Sequence, residues 1–118
     1  WEEILQFNWE CLLMVAHKAL ERNLDVIIDY VVEDELPRLQ ALAREFGAKL
    51  YYVVLTASEE TIIARIKERG DVEMIERALF LKNKLDHLPE NQGHLFDNTG
   101  KTVPQEVETL EIEKYEVV

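Results

Sequence analysis

Two short apolar runs constrain this chain more than anything else in it: VIIDYVV, residues 26–32, and LYYVVL, residues 50–55. Each is rich in β-branched and aromatic residues, too short for a helix core, and apolar at successive positions instead of alternate ones. That is the pattern of a strand covered on both faces. Between and around the runs the spacing turns helical. Glu2–Glu21 carries Ile4, Leu5, Leu12, Leu13, Val15, Ala16, Ala19 and Leu20 as a broad stripe, with Asn23 as its stop. Glu33–Phe46 repeats the spacing through Leu36, Leu39, Leu42, Ala43 and Phe46 and ends at Gly47. A helix is expected from Ser58 to Gly70, another over about Val72–Leu88, and a last one from Pro104 to about Leu110. HLF, residues 94–96, reads as a short strand before the turn residues DNTG. The final EIEKYEVV alternates as an edge strand would, and reads equally as a tail. Helix alternating with doubly apolar strand predicts an α/β fold, a three-layer parallel sheet with helices on both faces.

Bulk properties narrow the function classes. A chain of 118 residues suits a single domain. A formal net charge of -11 argues against a nucleic-acid partner, which would require clustered cations. One cysteine, Cys11, excludes an internal disulfide and fits a reducing cytoplasm. No apolar run reaches membrane-spanning length, so no membrane partner is expected. His17, His87 and His94 are scattered and lack the spacing of a zinc site. Cys11, on an apolar helix face, reads as a small core residue. Trp1, Phe7 and Trp9 read either as walls of a pocket or as exposed surface.

Ligands of open parallel sheets sit beyond the carboxyl ends of the strands. Asp29, Thr56 and Asp97 fall at such ends. Asp29 is therefore a binding-site candidate, and it reads equally as the cap of a local turn.

Two families resemble these segments. ALERNLDVIIDY followed by VVLTAS is similar to the middle of a response-regulator receiver, in which Asp29 would accept a phosphoryl group and Thr56 would end the next strand. The acidic pair and the strand-end lysine of receivers have no counterpart here, since Lys82 and Lys84 lie on a helical segment. The second resemblance covers more of the chain. VIIDY, YYVVLTASEETIIARIKERGD, MIERALFL and HLFDNTGKTVPQEVETL follow in order the carboxyl-terminal two-thirds of P-loop kinases of the gluconate-, shikimate- and nucleoside-kinase-like branch.

The kinase resemblance implies an ATP- and Mg²⁺-dependent phosphotransferase with a small hydroxylated metabolite as acceptor. Residues 1–118 would form one domain, the carboxyl-terminal portion of the kinase fold, with a helical lid at about 65–90. Asp29 would be a Walker-B-type carboxylate on the water shell of Mg²⁺, and Arg65 would reach a phosphate or stack on adenine. Arg69 and Arg77 would stabilise charge on the transferring group, and Asp97, Asn98, Thr99 and Gly100 would wrap the adenine. Two plainer readings stand beside these. Arg65 and Arg69 serve as solvated partners for Glu59, Glu60 and Glu68, and DNTG serves as a simple turn.

The phosphate-cradling G-x-x-x-x-G-K-[ST] motif does not occur, and only four glycines are present to build one. In the resembling family it follows a strand lying between the strands of Asp29 and Thr56. Either an upstream segment of roughly 35–45 residues supplies that strand, the favoured reading, or the strands pair in some other way, and residues 1–118 alone should not turn over ATP. A non-catalytic acidic interaction domain is the alternative outside enzymology.

Overall fold

A computed structural model describes residues 1–118. The chain divides into two compact units, residues Trp1–Leu50 with Val117–Val118, and residues Tyr51–Glu116.

The first unit holds two helices, α1 (Glu2–Glu21) and α2 (Leu36–Glu45). α1 opens on Glu2 and Glu3, which complement the helix dipole, and its last turn carries both Lys18 and the opposing Glu21. Past its end Asn23 takes a left-handed φ of 57°, which asparagine tolerates better than most residues. Pro37 occupies the first turn of α2, where no backbone N–H is required. Leu36, Leu39 and Ala43 are buried on α2, as are Trp9 and Ala16 on α1. Trp9 meets Tyr30 edge to face, ring centroids 5.3 Å apart. At about 25 cal/mol per Å² and roughly 200 Å² of side chain, burial of Trp9 contributes about 5 kcal/mol relative to exposure. His17 joins the two helices, with Nδ1 3.0 Å from Glu21, Nε2 3.4 Å from Glu45 and its ring against Phe46.

The segment expected to be a buried strand, Val26–Val32, forms no β-ladder. Backbone hydrogen bonding within the chain stops at Leu24 and does not resume until after this stretch. Ile27 is 95% exposed, and Val26, Tyr30 and Val31 are exposed as well. The apolar pattern is that of a strand, but a strand exists only through its neighbour, and here no segment of the chain supplies one. Val26, Ile27 and Tyr30 instead line one wall of an apolar groove whose other wall is Cys11, Leu12 and Val15 of α1. Trp1 and Phe7 are exposed.

The second unit runs β1 (Val54–Thr56), α3 (Glu59–Arg69), α4 (Ile75–His87), β2 (Leu95–Asp97) and α5 (Val103–Thr109). Short 3₁₀ turns precede α4 at Val72–Met74, follow it at Pro89–Asn91, and lie near the end at Ile112–Tyr115. β1 and β2 pair in parallel, with Val54 opposite Leu95 and Thr56 opposite Asp97. The sheet of this chain is thus a parallel pair in place of the expected three-layer sheet, and Leu55 on it is 60% exposed. Tyr51 makes an antiparallel bridge to Glu116, so part of the final alternating stretch does pair as an edge.

Helix limits in this unit follow local chemistry. Ser58 caps α3 by accepting from the Thr61 amide, and Gly70 ends it at φ 85°. Thr102 and Gln105 form a reciprocal capping box at the start of α5. Tyr52, Val54, Ala57 and Ile66 are buried. Among them Asn91 is fully buried, accepting from the Tyr52 hydroxyl at 2.8 Å and donating to the Leu85 carbonyl at 2.9 Å. No helix of the chain is long and apolar enough to cross a membrane.

Asn91 is the expected weak point of this core. Asn91→Ala removes two interior hydrogen bonds, and a loss of roughly 1–3 kcal/mol is expected. Urea unfolding checks it, with Tyr52→Phe expected to cost less than Asn91→Ala.

Candidate functional site

The polar groups of the second unit gather where its two strands end. The parallel register sets Thr56 beside Asp97, and two further bonds continue the pairing into the loops. The Asn98 amide donates to the Thr56 carbonyl at 2.8 Å, and the Ser58 amide donates to Thr99 Oγ1 at 2.8 Å. The chain after β1 and the chain after β2 are therefore stitched to each other.

DNTG is a turn built by its own first residue. Asp97 Oδ1 accepts from the Thr99 amide two positions on, the arrangement that lets aspartate start turns. The Lys101 amide then closes on the Asn98 carbonyl at 3.0 Å. Gly100 sits at φ 72°, a backbone that side chains rarely adopt. The Thr99 hydroxyl, and after it the Thr99 amide, hold the Asp97 carboxyl below its ordinary value; Lys101 and Lys82 act in the same direction against a small opposing effect of burial.

Asn98 is the hub. Its side-chain oxygen accepts from Arg65 Nη1 at 2.8 Å, its carbonyl accepts from Arg65 Nη2 at 3.1 Å, and its amide nitrogen donates to Glu106 at 2.8 Å. Arg65 thus reaches from α3 to the DNTG turn and does not serve Glu59, Glu60 or Glu68. A fork of two N–H donors on one residue is the geometry guanidinium provides and ammonium does not.

The other predicted arginines do not join this cluster. Arg69 lies 3.4 Å from Asp71, and both side chains are largely exposed, so that pair contributes little. Arg77 stacks its guanidinium 5.4 Å from the centre of the Phe80 ring. Asp29 belongs to the first unit and is exposed in a segment without regular secondary structure.

One contributor was not legible as a site residue. Lys82 extends from α4 to 3.4 Å from Thr56 Oγ1 and 2.5 Å from Asp86 Oδ2. The four-residue spacing of Lys82 and Asp86 on one helix was the available signal, but it is the spacing of any helix-surface pair. Only the fold shows the lysine turned toward a strand end. Lys101 also contributes, donating to the Asp97 carbonyl at 3.3 Å with its ammonium 5.8 Å from the centre of the Phe96 ring. In a chain of charge -11, three cations, Arg65, Lys82 and Lys101, thus border the strand ends. The carboxylates of Asp86, Asp97 and Glu106 lie among them. His, Cys, Asp and Glu form no group of three able to hold a metal.

A family profile described as AAA domain matches residues 2–82. The match includes Asp29, Thr56, Arg65, Arg69, Arg77 and Lys82, and stops short of Asp86 and the DNTG turn. No curated protein and no solved structure is a match to the chain.

The Asp97 environment makes a signed prediction. A carboxyl held low in the folded state adds stability above its unfolded value near 3.9. That contribution fades as pH falls through the folded value. Carbon-detected NMR titration should find Asp97 below the ordinary range and find it raised in Thr99→Ala, with Thr99→Ser restoring it. An Asp97 midpoint unchanged in Thr99→Ala would remove the hydroxyl as the cause.

Proposed function

The chain belongs to the AAA domain family, a P-loop NTPase family, and from that premise we propose that its gene product is an ATP- and Mg²⁺-dependent phosphotransferase acting on a small hydroxylated metabolite. What supports this reading most is the cluster beyond the carboxyl ends of β1 and β2: Thr56, the Asp97–Gly100 turn, and Arg65 bonded twice to Asn98. Ligands of parallel sheets are held at that end. Within the family, the proposed relatives are the gluconate-, shikimate- and nucleoside-kinase-like enzymes, whose segments the sequence follows in order.

In this reading residues 1–118 are the carboxyl-terminal portion of one kinase domain. The DNTG turn lies against the adenine, offering backbone groups whose positions Asn98 and Gly100 define. Arg65, already oriented by Asn98, faces the nucleotide. Arg69 and Arg77 belong to a lid spanning about 65–90, and their present partners, Asp71 and Phe80, are weak enough to exchange for a phosphate. Asp29 is the magnesium-side carboxylate. Its exposure suits a hard cation that keeps its waters and takes one or two carboxylates. When bound, Mg²⁺ neutralises charge on the phosphate oxygens. In this reading the phosphate cradle lies outside the 118 residues, which contain no G-x-x-x-x-G-K-[ST].

Asp29→Ala in the full-length gene product is the test. Mg²⁺-dependent ATP turnover should fall at least about 100-fold with the melting temperature unchanged, because Asp29 is exposed. Wild-type turnover in the variant would retire the assignment. Screening sugar acids and nucleosides for thermal stabilisation in the presence of ATP and Mg²⁺ identifies the acceptor.

A further inference from the structure

We infer that Lys82 contacts a phosphate group at the carboxyl end of β1 and that Asp86 is the residue positioning it. The inference deepens the nucleotide reading above and rests on it for what carries the phosphate. A lysine–aspartate pair one helical turn apart ordinarily braces an exposed helix face. Here both side chains are mostly withdrawn from solvent, 20% and 19% exposed, and the ammonium turns inward to a strand-end hydroxyl.

The donor count favours a ligand. An ammonium has three N–H bonds, and Asp86 and Thr56 account for two, leaving one. The Thr56 hydroxyl, accepting from Lys82, retains its own O–H to donate. Two donors thus stand side by side where the strand stops, one of them charged, and phosphate oxygens are acceptors suited to both.

Asp86 explains why the lysine stays there. Its Oδ2 holds the ammonium, while its Oδ1 is buried without any hydrogen-bond partner. The carboxylate's charge therefore depends on Lys82 alone, and the pair cannot part without stranding a buried ion. The Arg65–Asn98 bonds hold the facing loop in place independently.

The experiment titrates the full-length gene product with inorganic pyrophosphate, and in parallel with ATP, following amide resonances by NMR. Lys82→Met alone strands the Asp86 carboxylate and can unfold the chain. The informative variant is therefore Lys82→Met with Asp86→Leu, which removes both charges together; Lys82→Arg preserves the cation. Pyrophosphate is expected to shift Thr56 and Lys82 in the wild type, with affinity at least tenfold weaker in the double variant and largely kept by Lys82→Arg. Unchanged affinity in a folded double variant, or shifts that miss Thr56 and Lys82, would overturn the inference. Pyrophosphate binding at these residues with ATP no tighter would keep the subsite and end the nucleotide reading. Tight ATP binding that leaves Lys82 unmoved would do the reverse.

Discussion

Three residues of parallel pairing, Val54–Thr56 against Leu95–Asp97, underlie the second unit. A parallel pair points both carboxyl ends the same way, so whatever follows each strand emerges at one edge. Register then makes neighbours of Thr56 and Asp97, and the loop bonds from Asn98 to Thr56 and from Ser58 to Thr99 follow from that adjacency. A register shift would separate the hydroxyl from the carboxylate and undo the stitching. The helices contribute by reach: Arg65 arrives from α3 and Lys82 from α4.

The electrostatics of this edge run against the composition of the chain. An acidic protein repels anions at long range, yet a few cations within a few ångströms dominate locally because water and salt screen the rest. Arg65, Lys82 and Lys101 are all committed to hydrogen bonds around the strand ends. Neutral oxygens and the Asp86 carboxylate hold them in position, and the Asp97 carboxylate lies close enough to feel Lys101 and Lys82. Arg69 and Arg77, with one exposed acid and one aromatic ring as partners, keep more freedom.

Apolar residues left exposed carry information too. Ile27 at 95% and Leu55 at 60% exposure lie in runs whose composition is that of covered strands. Val26–Val32 has the composition of a strand, while the hydrogen bonding a strand requires is not met within the chain. Propensity is a property of the segment, and pairing is a property of what lies beside it.

Sequence alone determined the features with short-range causes. Ser58 as a helix start, Gly70 as its end and the DNTG turn depend on groups a few residues apart, whose chemistry spacing displays directly. Tertiary structure decided the rest. Whether VIIDYVV is a strand depended on a neighbour, and whether Arg65 served a nearby glutamate or Asn98, 33 positions away, depended on how β1 and β2 aligned. The sequence placed Lys82 only on a helical segment, because a helical pattern gives spacing without direction. Only the packing of α4 turned it toward Thr56.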